Sequence, residues 1–239
     1  MCCSLTKTVL ITGAGSDIGI AAVIEYLKHN WVVIAICHKP NMVIDSLQKS
    51  NNRLYVHYYD FSKGDERLKY YNLLGDGSLN IDAVVLLAAT RNSIPYHDVT
   101  ESDLTQHLEI NLFPSIFTIQ IVGKKMRDNS FGRIVFGSSI GVKFGGGTDT
   151  FCYSLSKHAG EFIPAEARTW AAKNVFCNVV RIGITNTRVM DKQYLTERAK
   201  LVPVLRVAEP EEVAKTIFFL GSDNNTFITE QIIAVSGGE

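Results

Sequence analysis

The feature that most constrains this chain is a rhythm: short apolar runs recur along it, most of them separated by longer stretches whose apolar residues return at helical spacing. Such runs suit strands covered on both faces, and crossovers of that length join parallel strands through right-handed βαβ units. The pattern predicts strands at Thr8–Ile11, Trp31–Ile36, Leu54–Tyr58, Ala83–Ala88, Arg133–Phe136, Phe176–Val180 and Gln231–Val235. Helices are expected at Asp17–Asn30, Ser62–Leu74, Glu101–Arg127, Tyr153–Asn174 and Pro210–Leu220, some opened by an Asp, Ser or Pro. The expected fold is α/β, a doubly wound parallel sheet of about seven strands with helices on both faces. No internal repeat or Pro/Gly/Ser-rich linker interrupts the 239 residues, so one domain over 1–239 is the simplest organisation.

Charge and cysteine usage narrow the function. Lys+Arg and Asp+Glu both number 24, and no basic run recurs along one face, which removes the footprint expected for nucleic acid or a membrane surface. No segment reaches the roughly 20 apolar residues that span a bilayer, and no charged and apolar leader opens the chain, so a cytoplasmic address is expected. Cys2, Cys3, Cys37, Cys152 and Cys177 are odd in number and lack CxxC spacing; reduced thiols and no metal site are expected. Small-molecule chemistry is what remains.

In a doubly wound sheet a ligand binds beyond the carboxyl ends of the strands, where strand order reverses, and the first strand-to-helix turn lies there. That turn reads Ile11-Thr-Gly-Ala-Gly-Ser-Asp-Ile-Gly19. Gly13, Gly15 and Gly19 stand where backbone must approach a pyrophosphate and helix amides must point at it. Similar glycine turns also close ordinary strand–helix corners.

A second cluster carries acid–base chemistry. Tyr-x-x-x-Lys occurs twice, at Tyr59…Lys63 and Tyr153…Lys157, but only the second opens a long helix that returns both residues to one face. Upstream of it, a strand runs into Gly137-Ser138-Ser139 and puts a hydroxyl at the same end of the sheet. A phenol of pKa about 10 is a poor base at neutral pH, and an ammonium within about 4–6 Å would lower it by 1–3 units. Lys157 is expected to do this for Tyr153, while Ser139 polarises the reacting oxygen.

With Thr-Gly-Ala-Gly-Ser-Asp-Ile-Gly at the start, Asn111 in Glu-Ile-Asn-Leu, Ser139, and Tyr153-Ser-Leu-Ser-Lys157, the chain resembles the short-chain dehydrogenase/reductase family. Asp60-Phe61, Ile182-Gly183 with Thr187, Val202-Pro203…Arg206…Glu209-Pro210-Glu211-Glu212 and the tail Phe227–Gly238 extend the resemblance from Lys7 to Gly238. It implies a Rossmann-type fold and hydride transfer between NAD(P) and a carbonyl/alcohol pair. It makes Tyr153 the acid/base, Lys157 its electrostatic partner and a ribose contact, Ser139 the oxygen-positioning group, and Asn111 the holder of a water leading to Lys157. Ser138 is the alternative to Ser139. The cofactor set it implies is Gly13, Ser16, Asp17, Ile18, Gly19, His38, Asp60, Phe61, Ala88, Tyr153, Lys157, Thr185 and Thr187. A substrate loop is expected over about 186–205, and a homodimer or homotetramer as the assembly.

The departures from the family carry information of their own. Asp17 replaces a glycine of the phosphate turn; it is expected to turn back and cap the first amides of its helix, the opposing reading being repulsion of a diphosphate. The usual Asn-Asn-Ala-Gly is Leu86-Leu87-Ala88-Ala89, which loses the amides that brace the sheet. The interval from Ser139 to Tyr153 is one residue long, with Gly145-Gly146-Gly147 available to absorb it, and Pro164 should kink its helix. At the end of the second strand Cys37-His38-Lys39 offers no acid for a ribose 2′-hydroxyl, so NADP(H) is favoured over NAD(H). The sequence supports an NADP(H)-dependent enzyme acting on a ketone or secondary alcohol, in pattern nearest to 3-oxoacyl thioester reductases. A dinucleotide-binding protein without turnover is the other reading.

Overall fold

The computed structural model describes residues 6–239; Cys2 and Cys3 lie outside them. Seven strands form one parallel sheet: β1 (Thr8–Thr12), β2 (Val32–Cys37), β3 (Leu54–Tyr58), β4 (Ala83–Leu86), β5 (Gly132–Ser139), β6 (Val175–Ile182) and β7 (Ile232–Val235). Their order is β3-β2-β1-β4-β5-β6-β7, so the direction of winding reverses between β1 and β4. All seven expected strands are present. In β1, Thr8 to Thr12 pair with Val32 to Ile36 on one side, and Val9 to Thr12 with Ala83 to Leu86 on the other.

Alternation along these strands feeds two cores. Val9, Ile11, Val33 and Ala35 point to the face covered by α1 (Asp17–Lys28) and α9 (Pro210–Leu220), where Tyr26 packs edge-on against Trp31 and Phe218. Leu10, Ile34, Ile36 and Val84 point to the opposite face, under α3 (Gly64–Gly75), α5 (Phe113–Asp128) and α7 (Ala165–Trp170). Period-two alternation with both faces buried is what makes the central strands β1, β2 and β4 continuous apolar runs, whereas the edge strands β3 and β7 are partly exposed.

Two expected helices are broken. The stretch Glu101–Arg127 divides into α4 (Glu101–Asn111) and α5, because Pro114, in the first turn of α5, has no amide to continue the ladder. The stretch from Tyr153 divides into α6 (Phe151–Gly160) and α7, with Pro164 as the N-cap of α7; the expected kink is a full interruption. Gly160 lets α6 lie directly on the sheet, since a Cβ there would fall 2.1 Å from the Phe136 ring. Two further helices, α2 (Met42–Ser50) and α8 (Lys192–Ala199), were not expected; each buries one residue, Ile44 and Leu195 respectively. Among the described residues no helix is long and apolar enough to cross a membrane.

Candidate active site

The turn after β1 is held by backbone proximity. A Cβ on Gly13, whose φ is +69°, would meet the Ala88 nitrogen at 2.7 Å, and one on Gly19 would meet the Gly13 carbonyl oxygen at 2.2 Å. A Cβ on Gly15 would make only ordinary contacts at 3.6 Å. Ser16 is the N-cap of α1: its Oγ accepts from the Gly19 amide at 3.1 Å and donates to the Gly13 carbonyl at 2.8 Å. Asp17 does not cap the helix as expected. Its Oδ2 accepts from the backbone amide of Arg188 at 2.7 Å and its Oδ1 from the Arg188 guanidinium, joining the turn to the segment after β6. Ser16, one residue earlier, already satisfies the cap, which leaves the Asp17 carboxylate for a distant donor.

Beside this turn lies a cavity of about 450 Å³ at the carboxyl ends of β1, β2 and β4, lined among others by Gly13, Gly15, His38, Lys39, Phe61 and Ala88. Asp60 shares it, 3.5 Å from His38 Nε2 and 3.5 Å from Lys63 Nζ. The Ser62 hydroxyl, 2.6 Å away, is the main cause holding the Asp60 carboxyl below its ordinary range. The lost asparagines after β4 are replaced by Thr12, whose carbonyl and Oγ1 accept from the amides of Leu87 and Ala88 at 3.2 Å each. A bare turn, the N-terminus of a twelve-residue helix behind it and this cavity fit the diphosphate and nucleoside of a dinucleotide.

A second cavity, about 760 Å³, adjoins the first at Ser16, Leu87 and Ala89. Ile18, Ser139, Tyr153, Lys157, Thr185 and Thr187 line it, as do the more apolar Met190, Tyr194 and Leu201. Ser139 ends β5, and its Oγ accepts from the Gly141 amide at 3.2 Å. Between Ser139 and Tyr153 the chain makes a left-handed turn at Gly145 and Gly146, with φ +69° and +88°. Ser138 also lines this cavity, but it is buried and donates to Glu161 Oε1 at 2.6 Å, whereas the Ser139 hydroxyl faces the Tyr153 phenol. The Tyr59…Lys63 pair straddles the loop before α3 and shares no helix.

Burial pushes the half-buried Tyr153 phenol above its ordinary value of 10, while the Ser139 hydroxyl and the Arg91 charge pull it partly back. Lys157 follows Tyr153 one turn later on α6. Its Nζ donates to the Gly137 carbonyl at 2.8 Å and lies 5.1 Å from the centre of the Phe136 ring. Burial pushes this amine down to about 7, because an ammonium there has little water to solvate it.

Asn111 is fully buried between α4 and α6 and lines neither cavity. Its amide donates to the Thr90 carbonyl at 3.0 Å and to Ser156 Oγ at 2.9 Å, and its Oδ1 accepts from the Thr90 amide at 2.7 Å. Both amide hydrogens are thus taken by protein groups, and the side chain braces the turn after β4 against α6.

Sequence reasoning missed Glu161, one turn beyond Lys157. It is 4% exposed and accepts from Arg181 Nε and Nη2 at 2.8 and 2.7 Å as well as from Ser138. Burial pushes its carboxyl up, but Arg181, Ser138 and His158 together hold it below its ordinary value of 4.5. Arg91 was also missed; it lines the second cavity and has no ion-pair partner among the described residues. No local sequence signal marks either residue.

The chain is similar to known proteins over nearly its whole length. A family profile described as enoyl-(acyl carrier protein) reductase matches residues 13–239. The chain is 31% identical over 242 residues to the acetoacetyl-CoA reductase of Shinella zoogloeoides, covering 98% of this chain and 99% of that protein. It is 26% identical over 239 residues to the 3-oxoacyl-[acyl-carrier-protein] reductase MabA of Mycobacterium tuberculosis, covering 98% of this chain and 93% of the relative. A solved structure from Beutenbergia cavernae, assigned as an NAD(P)-dependent gluconate 5-dehydrogenase with NADP bound at low occupancy, superposes with a TM-score of 0.87 at 27% identity, covering 98% and 97% of the two chains.

Proposed function

Because this chain belongs to the short-chain dehydrogenase/reductase family and is therefore an NAD(P)-dependent oxidoreductase, we propose that it uses NADP(H) to interconvert a ketone and a secondary alcohol, with a 3-oxoacyl thioester as the ketone. The observation that carries the reading is the convergence of Ser139, Tyr153 and Lys157 on one cleft that adjoins the phosphate turn. The thioester is supported by the acetoacetyl-CoA and 3-oxoacyl reductases among the relatives and by the apolar Met190, Tyr194 and Leu201 at the cleft.

The nicotinamide cofactor supplies the hydride when bound. Gly13, Ser16, Ile18 and Gly19 would hold its diphosphate, Asp60, Phe61 and Ala88 the adenosine side, and Thr185 and Thr187 the nicotinamide side. His38 and Lys39 would meet a 2′-phosphate, in keeping with the absence of an acid at the end of β2. In the substrate cleft Ser139 Oγ donates to the carbonyl oxygen, and Tyr153 donates its proton to the same oxygen as charge builds on it. Burial raises the phenol and leaves its proton in place, so Tyr153 is the group that donates when the ketone is reduced. Lys157, its Nζ held at the Gly137 carbonyl beside the cleft, would contact the nicotinamide ribose and serve as the electrostatic partner of Tyr153. Asn111 keeps its place in the proposal as the brace that fixes α6 and with it Tyr153.

Cytoplasmic residence is supported by the unpaired, buried thiols of Cys37, Cys152 and Cys177. Assembly as a homodimer or homotetramer is supported by the exposed Ile116, Phe117 and Leu155 on α5 and α6. The test is Tyr153→Phe assayed with NADPH and acetoacetyl-CoA. Turnover should fall by about 10²- to 10⁴-fold, the range of acid–base catalysis, with NADPH affinity within about twofold of wild type. Retained turnover would remove Tyr153 from the acid/base role.

A further inference from the structure

Asp17 and Arg188 stand 171 positions apart and meet at the edge of the second cavity, beside Ser16 and Thr187, which line it. Asp17 opens α1 at the phosphate turn, and Arg188 follows Thr187 in the segment that leaves β6. Two contacts join them, one from the Arg188 backbone amide and one from its Nε, each to a different carboxylate oxygen. The pair therefore fixes the path of the chain as well as a side chain. The segment is tied down at its other end by Thr185, which is 4% exposed and bridges to Ala208. Between these anchors it is a short strap whose Thr187 lines the cleft, and Met190 lines it just beyond Arg188.

The charges complete the argument. Asp17 stands where the family's phosphate turn has glycine, at the helix end that a diphosphate would approach, and an uncompensated carboxylate there repels that ligand. Arg188 supplies the compensation. Its Nη1 and Nη2 groups have no hydrogen-bond partner among the described residues, so four N–H donors stay open beside the turn after Nε is engaged.

We propose that Asp17 and Arg188 form a clasp that holds the strap after β6 over the cofactor diphosphate, with Arg188 as a phosphate contact and Asp17 as the residue that positions it. The inference rests on the dinucleotide reading above. The clasp explains how an acid is accepted in the phosphate turn: it acts as half of a pair whose other half faces the anion. It also makes strap opening a step in cofactor release.

The test is a double-mutant cycle of Asp17→Gly, Arg188→Met and the combined variant. NADPH affinity is read by fluorescence titration, its release by stopped flow, and exchange of the Arg188 amide hydrogen in the free protein by mass spectrometry or NMR. Arg188→Met should weaken NADPH by tenfold or more, since Asp17 then faces the diphosphate alone. Asp17→Gly should weaken it less, about two- to fivefold, mainly through faster release. Adding Asp17→Gly to Arg188→Met should recover affinity, a reversal of sign that a purely structural role would not produce. The Arg188 amide should exchange faster in Asp17→Gly. Effects that simply multiply, or unchanged exchange at Arg188, would overturn the clasp while leaving the dinucleotide reading standing. A wild-type protein that binds neither NADPH nor NADH would overturn that reading and the clasp's role in release with it.

Discussion

Two glycines of the phosphate turn should respond very differently to the same added methyl group. A Cβ on Gly19 lies 2.2 Å from the Gly13 carbonyl oxygen and 2.7 Å from Ala14 Cα, both backbone atoms of the turn itself. Ordinary carbon–oxygen contact needs about 3.3 Å, so helix and turn must part by about 1 Å. Overpacking of this kind costs about 1–3 kcal/mol, or a fall in Tm of roughly 2–12 °C for a chain of this size. An error of about 1 Å in a positioned site also costs on the order of 10²-fold in its performance. Gly15 is the control, because its Cβ would make only van der Waals contacts at 3.6 Å with side-chain atoms of Asn41 and Cys37. Thermal melts and NADPH titrations of Gly19→Ala and Gly15→Ala would be run side by side. Gly19→Ala should lose both stability and nucleotide binding, and Gly15→Ala should keep its melting temperature within about 2 °C. The reasoning is refuted if Gly19→Ala melts and binds like wild type, or if Gly15→Ala is the more damaged of the two.

Two further outcomes concern the groups beneath the cleft. Glu161→Ala leaves Arg181 without its partner; breaking a buried pair costs about 3–5 kcal/mol, lowered to about 2–3 because Arg181 keeps 22% exposure, and a chemical denaturation curve should show it. The Glu161 carboxyl is held below 4.5, so its contribution is complete above pH 4.5 and disappears as pH falls through the folded-state value, a dependence that Glu161→Ala should flatten. Lys157 acts in the same direction over a higher pH range. Its amine is pushed from 10.5 down to about 7, so between these values the unfolded chain binds the extra proton and unfolding free energy rises with pH, by at most about 1.4 kcal/mol per pH unit. Denaturation midpoints measured from pH 7 to 9 should rise less steeply in Lys157→Met than in wild type.

The strands were legible because burial on both faces leaves unbroken apolar runs, and Val9 to Ile11 or Val33 to Ile36 can hardly be read otherwise. α2 and α8 were hidden by the reverse situation. Only Ile44 and the half-buried Leu47 of α2 reach the core and α8 buries only Leu195, so each short helix offers little apolar periodicity and is started by a side-chain cap, Asn41 or Asp191. Pro114 and Pro164 were visible, but whether a proline bends or stops a helix depends on what packs against the freed backbone. In the site, Tyr153, Lys157 and Ser139 announced themselves because local spacing alone brings them to one end of the sheet. Asp17 was misread because its partner is 171 residues distant, and Ser16 beside it satisfies the cap that Asp17 was expected to provide. Glu161 with Arg181 and Asn111 with Ser156 were illegible for the same reason: their meaning lies in contacts between elements.

The most direct test of the central claim is a paired fluorescence titration of the wild-type protein with NADPH and with NADH. The account predicts saturable binding of both with NADPH at least tenfold tighter, through His38 and Lys39 at the end of β2. Equal or tighter binding of NADH would contradict the NADP(H) assignment, and binding of neither would contradict the proposed oxidoreductase itself.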